Sequence, residues 1–502
     1  MKRAGRRASR GTRPQLPDGA CRAALEYLIR MPDGVPRLLE IPGREGTYVR
    51  LGELLRLRRD LFLARKGARF HELRVLRLAA VDEEPGDWSE LPIALEGRLD
   101  GRVSRLELER GFPVFWSECL RVALGLEPAE VTQLVPPLDL RFVSAIVDRG
   151  PARERFETLR AHRSVRFEGT PFACTDRGDV LFCHPCQGYE AVEAFARAAA
   201  ADPEVTAVRA TLYRVGDDKV LADALIGAAR AGKDVAVLLE GRAPIGELTN
   251  MEWALRFQNA GVRVLPFPGK KVHAKVYWVR REGRAYVHLG TGNYNSTNGR
   301  LYTDFSLFTG SPDLTADVQG FFDALEEQRV PEPRTMLTGG AIRELPLELI
   351  RAEGHPGGHV ILKFNHLTDA PILDELEACA RRGGRVDLIV RTTLTRIPPL
   401  VHARSIVGRF LEHARVAAFR GGGGWHVWAG SLDAMRRNFE RRYGLMFPVI
   451  DPAAKGMVLD ELRAQLRDDA NAFLLGSDGR EVACWGGRSN CQLASERAVH
   501  RP

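Results

Sequence analysis

No apolar run in this sequence approaches the roughly 20 residues that a membrane-spanning helix requires. The first residues, MKRAGRRASRGTRPQ, are basic but lack the apolar stretch of a secretory signal. They read as a disordered basic tail, with a transit peptide as the alternative. Cysteine is sparse and scattered, and Cys119 and Cys379 fall in apolar helical patterns where a buried thiol is the default. The one close pair, Cys183-His184-Pro185-Cys186, has the spacing of a redox or metal half-site, yet no second pair at zinc spacing accompanies it. A disulfide scaffold is thereby excluded, and a reduced, cytoplasmic setting fits. Acidic residues are in deficit, 65 against 73 basic ones, for a net charge of +8. That surplus favours a polyanionic partner, whether nucleic acid, anionic lipid or polyphosphate, without choosing among them.

One stretch is dense in chemistry. Lys270 to Leu307 reads KKVHAKVYWV, a short polar turn, then AYVHLGTGNYNSTNGRLYTDFSL. His273 and Lys275 lie two apart in a strand-like run, so period-2 alternation predicts both on one face, with Ala274, Val276 and Trp278 on the other. Beyond them the glycine-flanked turn GTGN ends in Asn293. This arrangement resembles the phospholipase-D-like pattern, in which imidazole attacks phosphorus while Lys and Asn hold phosphoryl oxygens. A single strand histidine is more often an ordinary hydrogen-bonded residue, so the presence of a second copy decides the matter. Ala222 to Glu240 (ADALIGAARAGKDVAVLLE) aligns without a gap on Leu373 to Arg391 (LDELEACARRGGRVDLIVR). Each reads as an amphipathic helix, a glycine stop at Gly232 or Gly383, and a buried strand. Downstream, His273-Ala274-Lys275-Val276 is matched by His413-Ala414-Arg415-Val416, and Asn293 by a turn carrying Ser431, Asp433 and Asn438. A pseudo-twofold pairing of the two copies would bring both histidines into one cleft.

The expected domains are a tail over 1–34, a small α/β domain over 35–148, duplicated α/β domains over 149–335 and 336–485, and a tail over 486–502. A helix is expected over 20–29 and another over 51–64. In the first repeat, helices are expected over 190–200 and 248–260 and strands over 205–213 and 262–267; a closing helix is expected over 455–466.

The strings TLYR (211–214), VHLGTGNYN (287–295), RLYTD (300–304), DLIVR (387–391) and SIVGRFLEH (405–413) resemble the long-chain polyphosphate kinase family. The likeness implies an α/β fold of two phospholipase-D-like domains behind a small α/β domain. It implies an Mg²⁺-dependent enzyme moving the terminal phosphate of ATP reversibly onto inorganic polyphosphate. Position by position, His273 matches the family's phosphohistidine, and His413 a second histidine acting as general acid/base or phosphate ligand. Arg391 and Arg442 match arginines that hold nucleotide phosphates, where a planar guanidinium grips bidentately. Tyr302 matches a tyrosine that stacks on adenine, and Arg214 an arginine at the phosphate and metal end. Lys275, Asn293 and Asn295 complete the pocket of His273. The likeness leaves room for a homo-oligomer.

Three departures accompany the resemblance. The family's helical N-terminal domain is expected to be missing. Pro244 stands where the family has an arginine near the metal-bound phosphate, and the loop after Arg391 is short. Two competing readings follow: hydrolytic phosphotransfer on the same scaffold, and a catalytically impaired paralogue that binds polyphosphate or nucleic acid. A classical phosphodiesterase would carry an Asp five residues after each motif cation; Arg280 and Arg420 stand there.

Overall fold

A computed structural model of the chain describes residues 36–44, 47–58, 70–77, 103–140, 142, 143, 146, 156, 169–212, 219–239, 247–265, 270–338, 341–476, 480–484 and 486–494. The chain forms two compact units, one within Met1–Glu157 and one from Thr158 onward. In the first unit, β1 (Leu38–Glu40) and β2 (Tyr48–Arg50) form an antiparallel pair leading into the helix Leu51–Leu57. A three-stranded sheet follows, β3 (Leu73–Arg77), β4 (Val103–Glu109) and β5 (Val131–Leu134), with β4 in the middle. Its apolar face, Val103, Leu106 and Leu108, packs on Leu120 and Leu124 at the end of the helix Val114–Ala123. The expected helix over 20–29 and the end of that over 51–64 lie outside the described residues.

The second unit contains the duplication as two eight-stranded sheets. Strands of the first half are β6 (Val180–His184), β7 (Val205–Leu212), β8 (Asp234–Leu239), β9 (Arg263–Val264), β10 (Lys271–Val272), β11 (Val276–Arg281), β12 (Arg284–Gly290) and β13 (Tyr302–Thr309). Those of the second are β14 (His359–Leu367), β15 (Arg385–Leu394), β16 (His402–Ile406), β17 (Leu411–Glu412), β18 (Arg415–Phe419), β19 (His426–Gly430), β20 (Arg442–Tyr443), β21 (Met446–Pro448), β22 (Ala472–Leu475) and β23 (Glu481–Ala483). The sheets run β17-β13-β12-β11-β7-β8-β9, with β6 also on β13, and β21-β19-β18-β14-β15-β16-β22-β23.

The aligned segments fold alike. Val220–Arg230 and Ala370–Arg381 are helices with apolar faces, and each is stopped by a glycine in the left-handed region, Gly232 at φ +82° and Gly383 at φ +97°, which a side chain would strain. Each feeds a buried parallel strand, β8 on β7 and β15 on β14. The inner faces of both sheets share one core, sealed by the helices Pro312–Glu326 and Pro452–Leu466; Trp278, Phe305, Phe322, Val416, Phe447 and Leu462 all belong to it. Separate outer cores lie under Glu190–Ala201 and Val220–Arg230 in one half and under Ala370–Arg381 in the other. Burial on both faces is why these strands read as continuous apolar runs. Of the strand expected over 262–267, Arg263 and Val264 pair with β8, and 266 and 267 lie outside the described residues. At the far end, Cys491 and Gln492 are buried against the second half, so ordered packing continues past the domain end expected at 485.

Candidate active site

Two reciprocal strand pairs bind the halves together. β10 runs parallel to β20, placing Lys271 opposite Arg442, and β17 runs parallel to the start of β13, placing Leu411 opposite Tyr302. Each short strand leads directly into a histidine. The His273 amide donates to the Tyr443 carbonyl at 2.6 Å, and the Ala414 amide donates to the Thr303 carbonyl at 2.9 Å. Each half thus lends an edge that fixes the other half's histidine, which is the geometry a pseudo-twofold axis requires. His273 and His413 lie 140 residues apart, as do Pro312 and Pro452, which open the two closing helices.

His273 to Lys275 do not form the expected strand; regular pairing begins at Val276. Their backbone is engaged irregularly instead. The Ala274 carbonyl accepts the Thr211 hydroxyl at 2.7 Å, the Lys275 carbonyl accepts the Gly290 amide at 2.9 Å, and Lys275 Nζ donates back to the His273 carbonyl at 2.5 Å. Lys275 is nearly fully buried, and His273 is partly buried.

The two histidines differ in their partners. His413 Nδ1 lies 2.8 Å from Asp304 Oδ2 and 3.0 Å from Oδ1, across the junction between halves. Asp304 is itself held by the Thr291 hydroxyl, which donates to Oδ1 at 2.6 Å while accepting the Phe305 amide at 2.9 Å. A Cβ on Gly292 would fall on the Asp304 carboxylate, so the second glycine of GTGN is what admits it. A carboxylate only accepts, so the proton sits on Nδ1 and Nε2 is turned to the site. The position equivalent to Asp304 in the other half is Gly444, where a Cβ would fall on the Leu432 side chain. Packing therefore forbids a matching carboxylate, and the pseudo-symmetry stops at this pair.

The cations differ as well. Arg415, equivalent to Lys275, forms a buried two-point pair with Asp433, equivalent to Asn293, at 3.1 and 3.3 Å. Its Nη1 donates to the His413 carbonyl at 2.8 Å and lies 3.0 and 3.3 Å from both ring nitrogens, the mark of a guanidinium stacked over the ring rather than an in-line donor. Asp433 also accepts the amides of Asn365 and His366.

Electrostatics follow from this packing. Burial, then the charges of Lys275, Arg415, Arg442 and His413, hold His273 well below the ordinary histidine range, which favours the neutral ring. Burial and the same arginines hold Lys275 well below the usual lysine range. Burial also lowers His413, against the pull of Asp304 and with the push of Arg415. Burial works to raise Asp304, but His413, Thr291 and Arg415 outweigh it and keep the carboxyl ionised. Lys275, Arg391, Arg415 and Arg442 face two carboxylates, an arrangement that attracts a multiply charged anion.

Arg391 stands on β15 and donates Nε to Asn365 Oδ1 at 2.9 Å. Tyr302 opens β13 with its ring centroid 5.1 Å from that of His413. Asn293 lies in the turn after β12, partly exposed. Asn295 follows in the same turn; its side-chain oxygen accepts the Asn298 amide at 2.9 Å and caps the helix Ser296–Leu301, while its amide nitrogen is the atom that could donate to a phosphate oxygen. Arg214 and Pro244 lie outside the described residues. His184 and His288 are structural, bonded to Gln187 and Ser306 and to Tyr294 respectively. Cys183 and Cys186 line a small cavity of about 20 Å³ beside Asp304 and Ala414, room for a water rather than a substrate. Among the described residues no three His, Cys, Asp or Glu side chains could hold a metal ion, and Asp304 and Asp433 are already committed to His413 and Arg415.

Sequence reasoning missed Asp304, Asp433 as partner of Arg415, and Asn365. Asp304 ends the string RLYTD, and the constant 140-residue offset that carries Lys275 to Arg415 also carries Asn293 to Asp433, which would have marked the pair.

Comparison with known proteins agrees with this layout. Residues 170–331 match the family described as polyphosphate kinase C-terminal domain 1, and residues 337–492 match polyphosphate kinase C-terminal domain 2. A polyphosphate kinase of Xylella fastidiosa is 36% identical over 92% of this chain and 70% of its own length. Polyphosphate kinase 1 of Chlorobaculum tepidum is 33% identical over 90% and 69%. The crystal structure of the Porphyromonas gingivalis polyphosphate kinase superposes with a TM-score of 0.77 at 25% identity, covering 93% of this chain and 74% of that one.

Proposed function

Because the chain belongs to the polyphosphate kinase family, we propose that it moves the terminal phosphoryl group of ATP reversibly onto inorganic polyphosphate, through a phosphohistidine on His273. The His273 lone pair forms a P–N bond as the bond from the γ-phosphorus to the bridging oxygen breaks, and ADP leaves with that electron pair. A terminal oxygen of polyphosphate then attacks the same phosphorus and releases the imidazole. Lys275 and Asn293 hold the oxygens of the phosphoryl in flight, and Arg391 and Arg442 grip the diphosphate that stays behind. Tyr302 lies against the adenine. His413, oriented by Asp304, serves from Nε2 as acid, base or phosphate ligand on the opposite side.

The observation that carries this reading is the inequality of the two histidines. His273 is held neutral among cations, which suits a nucleophile; His413 has a buried carboxylate on Nδ1, which suits a fixed acid/base. Magnesium belongs to the proposal as the ion that ATP brings on its phosphates, where it screens their charge. A cytoplasmic setting is likewise proposed, on the composition argument alone.

The test is incubation with Mg²⁺ and γ-labelled ATP, beside His273→Ala. Acid-labile, base-stable label on the protein and long anionic polymer on a gel, both lost in the variant, are expected. Polymer made at the wild-type rate by His273→Ala would overturn the phosphohistidine. No label, with salt-sensitive polyphosphate binding that survives the substitution, would leave a binding protein.

A further inference from the structure

Asn365 sits at a break in sheet register. β14 pairs with β15 in step as far as Phe364 opposite Val390, then resumes with His366 opposite Thr393, so Asn365 faces the two residues Arg391 and Thr392. Such a bulge re-aims side chains. Here it turns Asn365 inward, where the residue is almost wholly buried, and lets its amide make two different bonds. Oδ1 accepts Arg391 Nε at 2.9 Å; Nδ2 donates to the His413 carbonyl at 3.2 Å. Its backbone amide is fixed as well, donating to Asp433 Oδ1 at 2.7 Å. The position of the side chain is therefore set from three directions.

From this geometry we infer that Asn365 is a positioning residue that locks the Arg391 guanidinium for phosphate and couples it to the His413 loop. Holding an arginine by Nε fixes the plane of the fork while leaving both terminal nitrogens, the pair that meets phosphate oxygens side by side, to the ligand. Without Asn365 the half-buried Arg391 keeps its charge but loses its orientation, and rotamer freedom must be given up on each binding event. The bond to the His413 carbonyl means that the same amide reads both ends of the substrate site. The inference rests on the reading of Arg391 as a ligand for nucleotide phosphate.

The experiment is a double-mutant cycle on the full chain, measuring ADP dissociation constants by calorimetry for wild type, Asn365→Leu, Arg391→Ala and the double variant. Asn365→Ala is carried alongside as a version that cannot overpack, and turnover on polyphosphate is measured in parallel. Asn365→Leu is expected to weaken ADP about tenfold in the wild-type background and less than about twofold once Arg391 is gone, since contacting residues are non-additive. Equal losses in both backgrounds, or none, for both Leu and Ala would overturn the inference. Wild-type turnover with no coupling would sink the inference and spare the kinase reading. Coupled ADP binding without turnover would sink the kinase reading and leave Asn365 in its place, and a wild type that fails to bind ADP would overturn both.

Discussion

Replacing Asp304 with asparagine tests whether His413 works as an oriented group or merely as part of the wall. The change is nearly isosteric, so packing against Gly292 survives. What changes is fixed by Thr291, whose hydroxyl accepts the Phe305 amide and so has its proton aimed at the side chain in front of it. The amide oxygen of the substituted side chain will take that proton, leaving the NH₂ to face His413 Nδ1. A donor facing Nδ1 reverses the tautomer and puts the proton on Nε2, the nitrogen turned to the site. The charge-assisted bond now spanning 2.8 Å is also lost, worth about 1.5 to 3 kcal/mol, which corresponds to a fall in kcat of about tenfold to a hundredfold. Because Asp304 lies on the far side of the ring from the proposed nucleotide phosphates, KM for ATP should move less than about threefold. Steady-state synthesis with ATP varied gives both numbers, and thermal unfolding of the same preparation shows whether the fold is intact. Thr291→Val, which keeps the carboxylate but frees its orientation, should lose a smaller factor. Wild-type kcat in Asp304→Asn, or a loss confined to KM, would refute the argument.

Two further outcomes concern the stability that buried groups behind the site contribute. His288, buried between Tyr294 and Phe308, has its pKa pushed down to about 3, chiefly by burial. Its unfolded value is near 6.5, so below that the unfolded chain binds the proton and the folded one does not; stability present above pH 6.5 is lost as pH falls toward 3. At pH 5 this residue alone should cost about 2 kcal/mol relative to pH 7.5, and a urea series should show wild type losing more than His288→Gln over that interval. Glu412 takes Lys363 at 2.5 Å, Thr303 at 2.8 Å, Gln465 at 3.1 Å and Gln492 at 2.8 Å, all behind His413. Glu412→Ala leaves the lysine buried without its carboxylate and should cost about 3 to 5 kcal/mol, much of it recovered when Lys363→Met is added. A melting temperature unchanged in Glu412→Ala would show that water or another group reaches Lys363.

The duplication is legible in the primary structure, because helix, glycine stop and buried strand are local patterns that repeat in register: Gly232 and Gly383 can be read from propensity alone. Both histidines are exposed there too and, through the family strings, the arginines and the tyrosine around them. How the copies differ is settled by packing in three dimensions. Asp304 reaches His413 across 109 residues, Asn365 links Arg391 to the His413 carbonyl at a register break, and Gly444 is bare because Leu432 fills the space its side chain would need. Asn295 has a role that only the fold reveals, since its oxygen caps the helix that it starts. Local patterns record what a segment becomes, whereas hydrogen bonds between segments depend on which atoms the packing brings within about 3 Å, and that distance is set by the whole fold.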